Sequence, residues 1–498
     1  MRFRTWILVT SLGLVACKPT VEPAPPEPAP APAPEPEPEA RVYPDPPPPS
    51  AAATVNFPAT AEFTLPNGLT VHVVQSREVP LVSAQLVVRC GTMDRRHVAE
   101  FAAAMLGEGT TTRTKAQIDE AIEFVGGSLA ASAGIHSTHV MSRVLSQDLK
   151  LALTLMADEV MNPVFPADAL AKLKEQAKGS LRIARTQSDF LADMLFDQIA
   201  YPEGHPYGEP LATEEELDAI ALADVKAFHT TFYRANNAFL VLAGDVDVAT
   251  AKELTTRVFA DWSPANAEEI PPNPLNAFKS YDVAKALVVH VVDRPGSSQT
   301  EIRVGNLALA RGHEDWHELL VANSVLGGDL SSRLFLDVRE KRGLVYNIGS
   351  VVTPGQAPGT FTVRTRSRTQ SSGATLAAVL DHIKTLRSQG VTAEEIAAET
   401  EKIVGGFPLE LETPEQIAGK VRERLIYNLP ADYWSTYRAA ITAVTPDDVA
   451  EAARKYMHGS PHIVLVGEAD AIVAQVAEVL PKAEIRRYDA QLRPLASE

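Results

Sequence analysis

Ser331-Ser332-Arg333-Leu334-Phe335-Leu336-Asp337-Val338-Arg339-Glu340-Lys341-Arg342-Gly343-Leu344-Val345-Tyr346-Asn347-Ile348-Gly349-Ser350 reads as one helix followed by one strand. Leu334, Phe335 and Val338 recur at helical spacing, with Arg339 and Arg342 on another side. Gly343, after a basic last turn, is a helix stop. Leu344, Tyr346 and Ile348 then alternate with Val345, Asn347 and Gly349, which predicts a half-buried strand. Such a junction brings a guanidinium and a phenol together, and both donate hydrogen bonds to a carbonyl oxygen that gains charge in acyl transfer. The same pattern also describes a surface basic helix followed by a core tyrosine.

Outward from this stretch the chain repeats itself. Leu240-Val241-Leu242-Ala243-Gly244-Asp245-Val246-Asp247 answers to Ile463-Val464-Leu465-Val466-Gly467-Glu468-Ala469-Asp470, and the two glycines lie 223 apart, 467 minus 244. Asp224-Val225 and Tyr233 have counterparts in Asp448-Val449 and Tyr456 at nearly the same offset. A near-constant offset predicts a duplicated α+β unit. The proline-rich joint 263–276 separates the copies, 55–262 and 277–484, and leaves 485–498 as a tail.

In the first copy, Phe63 to Val74 reads as strand, turn and strand, Ser83 to Arg89 as a strand, and Ser128 to Leu145 as strand-like. Ala99–Leu106, Ile118–Phe124, Leu149–Met161 and Ala223–Tyr233 read as helices, and 167–199 as helix-rich. Ala238 to Gly244 reads as a buried strand.

The 498 residues, 45% hydrophobic, are ample for two full cores. A net charge of −17 without any basic stretch interleaved with aromatics argues against a nucleic-acid partner. Cys17 and Cys90 are the two cysteines, too few for a disulfide framework.

Residues 1–17 read as an export signal: Arg2 and Arg4 give the positive start, and Trp6 to Val15 an apolar run too short to span a bilayer. Leu14-Val15-Ala16-Cys17 resembles the bacterial lipoprotein processing box, which implies lipidation at Cys17. Lys18 follows where an inner-membrane retention signal would place Asp, so the outer membrane, facing the periplasm, is expected. Residues 18–54, rich in Pro, Ala and Glu, read as an extended tether. At about 3.1 Å per residue it reaches on the order of 100 Å.

The opening stretch resembles the carboxy-terminal-domain signature of the pitrilysin/insulinase family of zinc peptidases, which includes the mitochondrial processing peptidases. In that family an Arg and, seven positions on, a Tyr bind and polarise the substrate; the matching residues here are Arg339 and Tyr346. The resemblance implies two similar halves, each a mainly antiparallel sheet covered by helices, facing across a chamber. Gly327-Gly328-Asp329 resembles the family's glycine-rich loop, where substrate backbone approaches closely, and is equally the pattern of a tight turn.

A zinc peptidase of this class needs His-x-x-Glu-His on a helix: two ligands on one face, and a Glu that activates water. In the family the motif stands just before a Gly-Thr pair, here Gly109-Thr110, so its five positions fall on Glu100-Phe101-Ala102-Ala103-Ala104. Glu100 replaces the first His, Ala103 the base, Ala104 the second His, and the distant acidic ligand falls at Ser180. Alanine neither binds zinc nor moves a proton, so no metal is expected in this chain. His97-Val98-Ala99-Glu100 puts Phe101 where a second ligand belongs, and His136 and His139 on a strand face opposite sides. Cys90 reads as a small buried side chain.

The resemblance therefore implies a zinc-less pseudoenzyme, inactive alone, a lipoprotein of the bacterial envelope. It would supply Arg339, Tyr346 and the Gly327-Gly328 loop to a zinc-bearing homologous chain in a heterodimer that hydrolyses a peptide substrate. The alternative is a non-enzymatic peptide-binding or scaffold lipoprotein.

Overall fold

The computed structural model describes residues 56–266, 268–281 and 287–495. Cys17 and the tether 18–54 lie outside the described residues. Among the described residues twelve strands form two six-stranded sheets. The first holds β1 (Thr60–Thr64), β2 (Thr70–Gln75), β3 (Leu81–Val88), β4 (Ser128–Ala133), β5 (Thr138–Leu145) and β6 (Ala238–Gly244), in the order β1-β2-β6-β3-β5-β4. The second holds β7 (Val288–Asp293), β8 (Gln299–Leu307), β9 (Val345–Val352), β10 (Thr360–Arg368), β11 (His462–Gly467) and β12 (Glu484–Tyr488), in the order β12-β7-β11-β8-β10-β9. Pairing is antiparallel except β2 with β6, β7 with β11 and β12 with β7. This is the expected α+β architecture of two like halves.

The repeated apolar runs are the third strands, β6 and β11, each lying between neighbours with both faces covered, which is why they read as unbroken hydrophobic sequence. The repeated acidic residues, Asp224 and Asp448, do the same work in both halves. Each accepts from the backbone N–H three residues earlier and so closes the first turn of its helix, Leu222–Phe232 or Pro446–Tyr456. The copies differ at one edge. β1 precedes β2 and runs antiparallel to it, whereas the corresponding place beside β7 is taken by β12 from the end of the chain, running parallel. The second half thus extends to Tyr488, past the boundary at 484; alternating Ile485 and Arg487 give an edge strand too short to stand out by pattern.

One face of each sheet packs on its own helices, and the other face takes a helix from the opposite half. Helix Ser188–Ala200 sets Leu191, Leu195 and Phe196 against Val292, Val464 and Val466 of the second sheet. Helix Pro414–Ile426 sets Ile417, Ala418 and Val421 against Val74, Phe239 and Val241 of the first. Each fully buried aliphatic or aromatic side chain contributes about 1.5–3 kcal/mol, so the exchange couples the two halves strongly. Polar contacts accompany it: Arg303 Nε donates to Asp193 Oδ1 at 2.7 Å, and Arg422 Nη1 to Gln85 Oε1 at 2.8 Å.

Candidate functional site

Helix Trp316–Asn323 widens into the π-turn Ser324–Gly328, and a second π-helical segment, Phe335–Lys341, carries the signature arginine. A regular α-helix was the expectation there. Instead Arg342 N–H donates to Asp337 O at 2.9 Å and Leu344 N–H to Val338 O at 3.1 Å, longer spans than the α-helical four residues. Leu334, Phe335 and Val338 are buried as the spacing predicts. Gly343, at φ +61°, ends the segment. Asp337 anchors it, accepting from His382 Nε2 at 2.9 Å and pairing with Arg342 at 2.7 Å. Burial opposes the charge of Asp337, but these two partners hold its carboxyl below the usual range.

Arg339 and Tyr346 come together. The guanidinium carbon of Arg339 sits 4.5 Å from the centre of the Phe335 ring and 5.8 Å from that of Tyr346, while Nη1 donates to Glu340 Oε1 at 2.6 Å. Tyr346 is 87% exposed, so it is not the core tyrosine of the simpler reading. Nor does it share a face with Ile348, as plain alternation predicts, because β9 bulges. Ile348 pairs with Thr365 and Val345 with Ser367, so two residues, Tyr346 and Asn347, stand opposite Arg366 alone. The extra residue buries both Val345 and Ile348 and turns Tyr346 outward.

Gly327 and Gly328 part company. Gly327 is buried, and a Cβ there would lie 2.6 Å from Ser350 Oγ. The close approach it permits is therefore made by β9 of the same chain, where Asn323 Nδ2 donates to Ser350 O at 3.2 Å. Gly328 is exposed.

The helix Arg96–Leu106 carries the five motif positions. Glu100 and Ala104, one turn apart, face outward; Ala103 is buried. Helix Ala167–Ala184, which holds Ser180, packs against it. The layout is that of a two-helix metal site, but its donors do not fit zinc. Only Glu100 offers a ligand atom, and it is engaged by His97 Nδ1 at 3.0 Å. Among the described residues no group of three His, Cys, Asp or Glu side chains is placed to hold a metal ion. His136 stacks on Tyr207 with ring centres 5.4 Å apart, while His139 Nε2 bonds Ser137 Oγ at 2.8 Å, so the two imidazoles serve separate contacts. Burial depresses both to about 4. Burial also pushes the Cys90 thiol up.

One feature of the site escaped sequence reading. Tyr346 borders a cleft of about 680 Å³ into which Arg364, Arg366 and Arg368 project. The signal was present as Arg-x-Arg-x-Arg in Thr360–Arg368, a period of two that marks one face of a strand.

Residues 70–238 match the family model described as Insulinase (Peptidase family M16), and residues 219–402 match Peptidase M16 inactive domain. An uncharacterized zinc protease of Mycobacterium tuberculosis is 27% identical over 398 residues, covering 78% of this chain and 89% of that protein. The uncharacterized zinc protease YmxG of Bacillus subtilis is 24% identical over 358 residues, 70% of this chain and 84% of its own. Among solved structures, a peptidase M16 inactive domain from Pseudomonas fluorescens superposes with a TM-score of 0.73 at 27% identity, covering 82% of this chain and 98% of that one. A protease from Helicobacter pylori shares the fold, with a TM-score of 0.75 at 19% identity and coverage of 82% and 99%.

Proposed function

Because this chain belongs to the insulinase family of peptidases, we propose that it is a zinc-less subunit that lends Arg339 and Tyr346 to the active site of a zinc-bearing homologous chain. One observation carries the reading. Arg339 and Tyr346 come together with Tyr346 exposed and Arg339 half-buried, while the positions that would hold the metal and the base are Glu100, Ala103, Ala104 and Ser180. The partner supplies metal, base and attacking water. Arg339 and Tyr346 hold the carbonyl of the scissile peptide and donate to it as its oxygen gains charge. The bacterial envelope is the proposed location, with lipid on Cys17 and the 18–54 segment as tether. Cys17→Ser should then release the protein from the outer-membrane fraction.

The test is Tyr346→Phe in the reconstituted two-chain complex. The substitution removes one exposed hydroxyl and leaves folding and assembly intact. Losing one donor to a developing oxyanion typically costs about 10²–10³ in turnover. An unchanged rate at matched complex yield would assign the chain to a non-enzymatic peptide-binding or scaffold role instead.

A further inference from the structure

β10 presents its side chains alternately. Phe361, Val363 and Thr365 turn to the buried face, and Arg364, Arg366 and Arg368 to the face covered further along by helix Ser188–Ala200. On β8 the residues opposite the three arginines are Arg303, Glu301 and Gln299. This places four guanidinium groups in one neighbourhood with Asp189, Asp193 and Glu301, and with Asp197 behind Arg364.

The carboxylates are already shared. Arg303, buried, holds Asp193 at 2.7 Å and Glu301 at 3.1 Å. Arg366 also pairs with Glu301. Arg364 reaches Asp193 only at 3.7 Å, and both side chains are well exposed, a geometry that contributes little in water. Asp189, in the first turn of its helix, accepts from the neighbouring Phe190 N–H at 2.9 Å. Arg368 has no acidic partner among the described residues. Of the groups that line the cleft, four arginines stand against two carboxylates, Asp189 and Glu301, so its wall carries surplus positive charge in a chain of net charge −17. The row repeats every second residue, about 6.7 Å, which is the spacing of same-side residues in an extended peptide. Tyr346 and Asn347 form the wall of the same cleft.

We propose that this cleft selects extended peptide segments bearing carboxylates along one side, with Arg364 and Arg368, two repeats apart, reading them beside Tyr346. The inference rests on the substrate-binding reading above and names the class of substrate. Guanidinium forks suit this task because they meet carboxylates with two parallel hydrogen bonds. Arg303 and Arg366 are the structural members of the row, since removing either strips a partner from the buried Glu301.

The test uses the full chain and three labelled peptides of equal length, with Glu, Gln or Lys at alternate positions, titrated by fluorescence anisotropy. The Glu peptide should bind about tenfold more tightly than the Gln peptide, the Lys peptide most weakly, and the preference should fade as salt rises. Arg364→Gln/Arg368→Gln should abolish the preference, with circular dichroism reporting the fold. Should that variant misfold, the salt titration of the wild-type chain decides. Equal affinity for the Glu and Gln peptides at low salt overturns the inference. Measuring Tyr346→Phe turnover in parallel separates the two ideas. A slowed rate without acidic preference leaves the two-chain reading standing and removes this one. An acidic preference with an unchanged rate does the reverse.

Discussion

Replacing Gly327 with alanine should loosen β9, and the adjacent Gly328→Ala should not. A Cβ at Gly327 would stand 2.6 Å from Ser350 Oγ, 2.7 Å from Ser350 N and 3.0 Å from Ser350 Cβ. The hydroxyl can rotate away, but the backbone nitrogen cannot. Ordinary contact begins near about 3.5 Å, so strand and turn must separate by roughly 0.8 Å. Overpacking of this kind costs about 1–3 kcal/mol. Gly327 sits at φ −159°, which alanine also adopts, so the lower entropy of the unfolded variant returns about 0.4–1 kcal/mol. The net loss is about 1–2 kcal/mol. At Gly328 the nearest atoms belong to the Ser324 side chain, 3.0 Å to Oγ and 3.3 Å to Cβ, and the position is exposed, so cost and entropic gain nearly cancel. Because the exchanged helices tie the halves together, unfolding of over 400 residues has an entropy of roughly 0.9 kcal/mol per degree. The melting point therefore moves by only one or two degrees, and amide hydrogen exchange over Val345–Val352 is the better assay. Gly327→Ala should speed exchange there about tenfold while Gly328→Ala leaves it unchanged. Equal exchange in both variants would refute the packing argument.

Three further outcomes follow from the packing, the buried imidazoles and the donor set. Phe196→Ala, at a residue only 1% exposed beneath the second sheet, should cost about 3–5 kcal/mol and split one calorimetric transition into two as the halves uncouple; a loss below about 1 kcal/mol would contradict the interlock. Burial lowers His72, His136, His139, His205, His290 and His317 from 6.5 to about 4, so the stability they support is complete above 6.5 and is lost as pH falls toward 4. Burial raises Glu159 and Asp197 to about 7, which works in the opposite sense over the same window, but six groups outnumber two and the denaturation midpoint should drop between pH 6.5 and 5. The isolated chain, freed of chelator, should bind no stoichiometric zinc and cleave no unfolded peptide; elemental analysis finding one tightly held zinc per chain would overturn the donor argument at Glu100, Ala103 and Ala104.

What the sequence made legible was local. The unbroken apolar run Ala238–Gly244, the Asn67-Gly68 turn with Gly68 at φ +89°, and the repeated Asp224 and Asp448, which the fold uses to close helix turns, each depend on neighbours a few residues away. The helix–glycine–strand order around Arg339 and Tyr346 was legible for the same reason. The bulge was not, because the register of β9 is set by β10, and alternation within one strand says nothing of a partner that skips a residue. The exchange of Ser188–Ala200 for Pro414–Ile426 was equally hidden. Both helices show an ordinary apolar face, and no periodicity says which sheet that face will meet. Gly327 read equally as a substrate loop and as a tight turn for want of Ser350, a contact that only the folded chain supplies.

The two ends of the candidate site differ in what the fold asks of them. Ala103 and Ala104 lie mid-helix, the residue type that a helix accepts most readily, and Ala103 fills a buried position against the first core without a polar atom to satisfy. Folding alone accounts for both. It does not account for Tyr346. A phenol 87% exposed at a bulge buries almost nothing, and its contact with Arg339 is at the outer limit of a cation–π interaction, worth about 0.5 kcal/mol at an exposed site. Arg339 gains more from Phe335, which is nearer. The bulge itself is stabilised by the burial of Val345 and Ile348, but the phenol it turns outward, beside a cleft floored by three arginines, gains almost nothing from the fold. Its return has to come from a group outside the chain, which is why the proposed ligand is a peptide carbonyl at Tyr346 and not a contact within this fold.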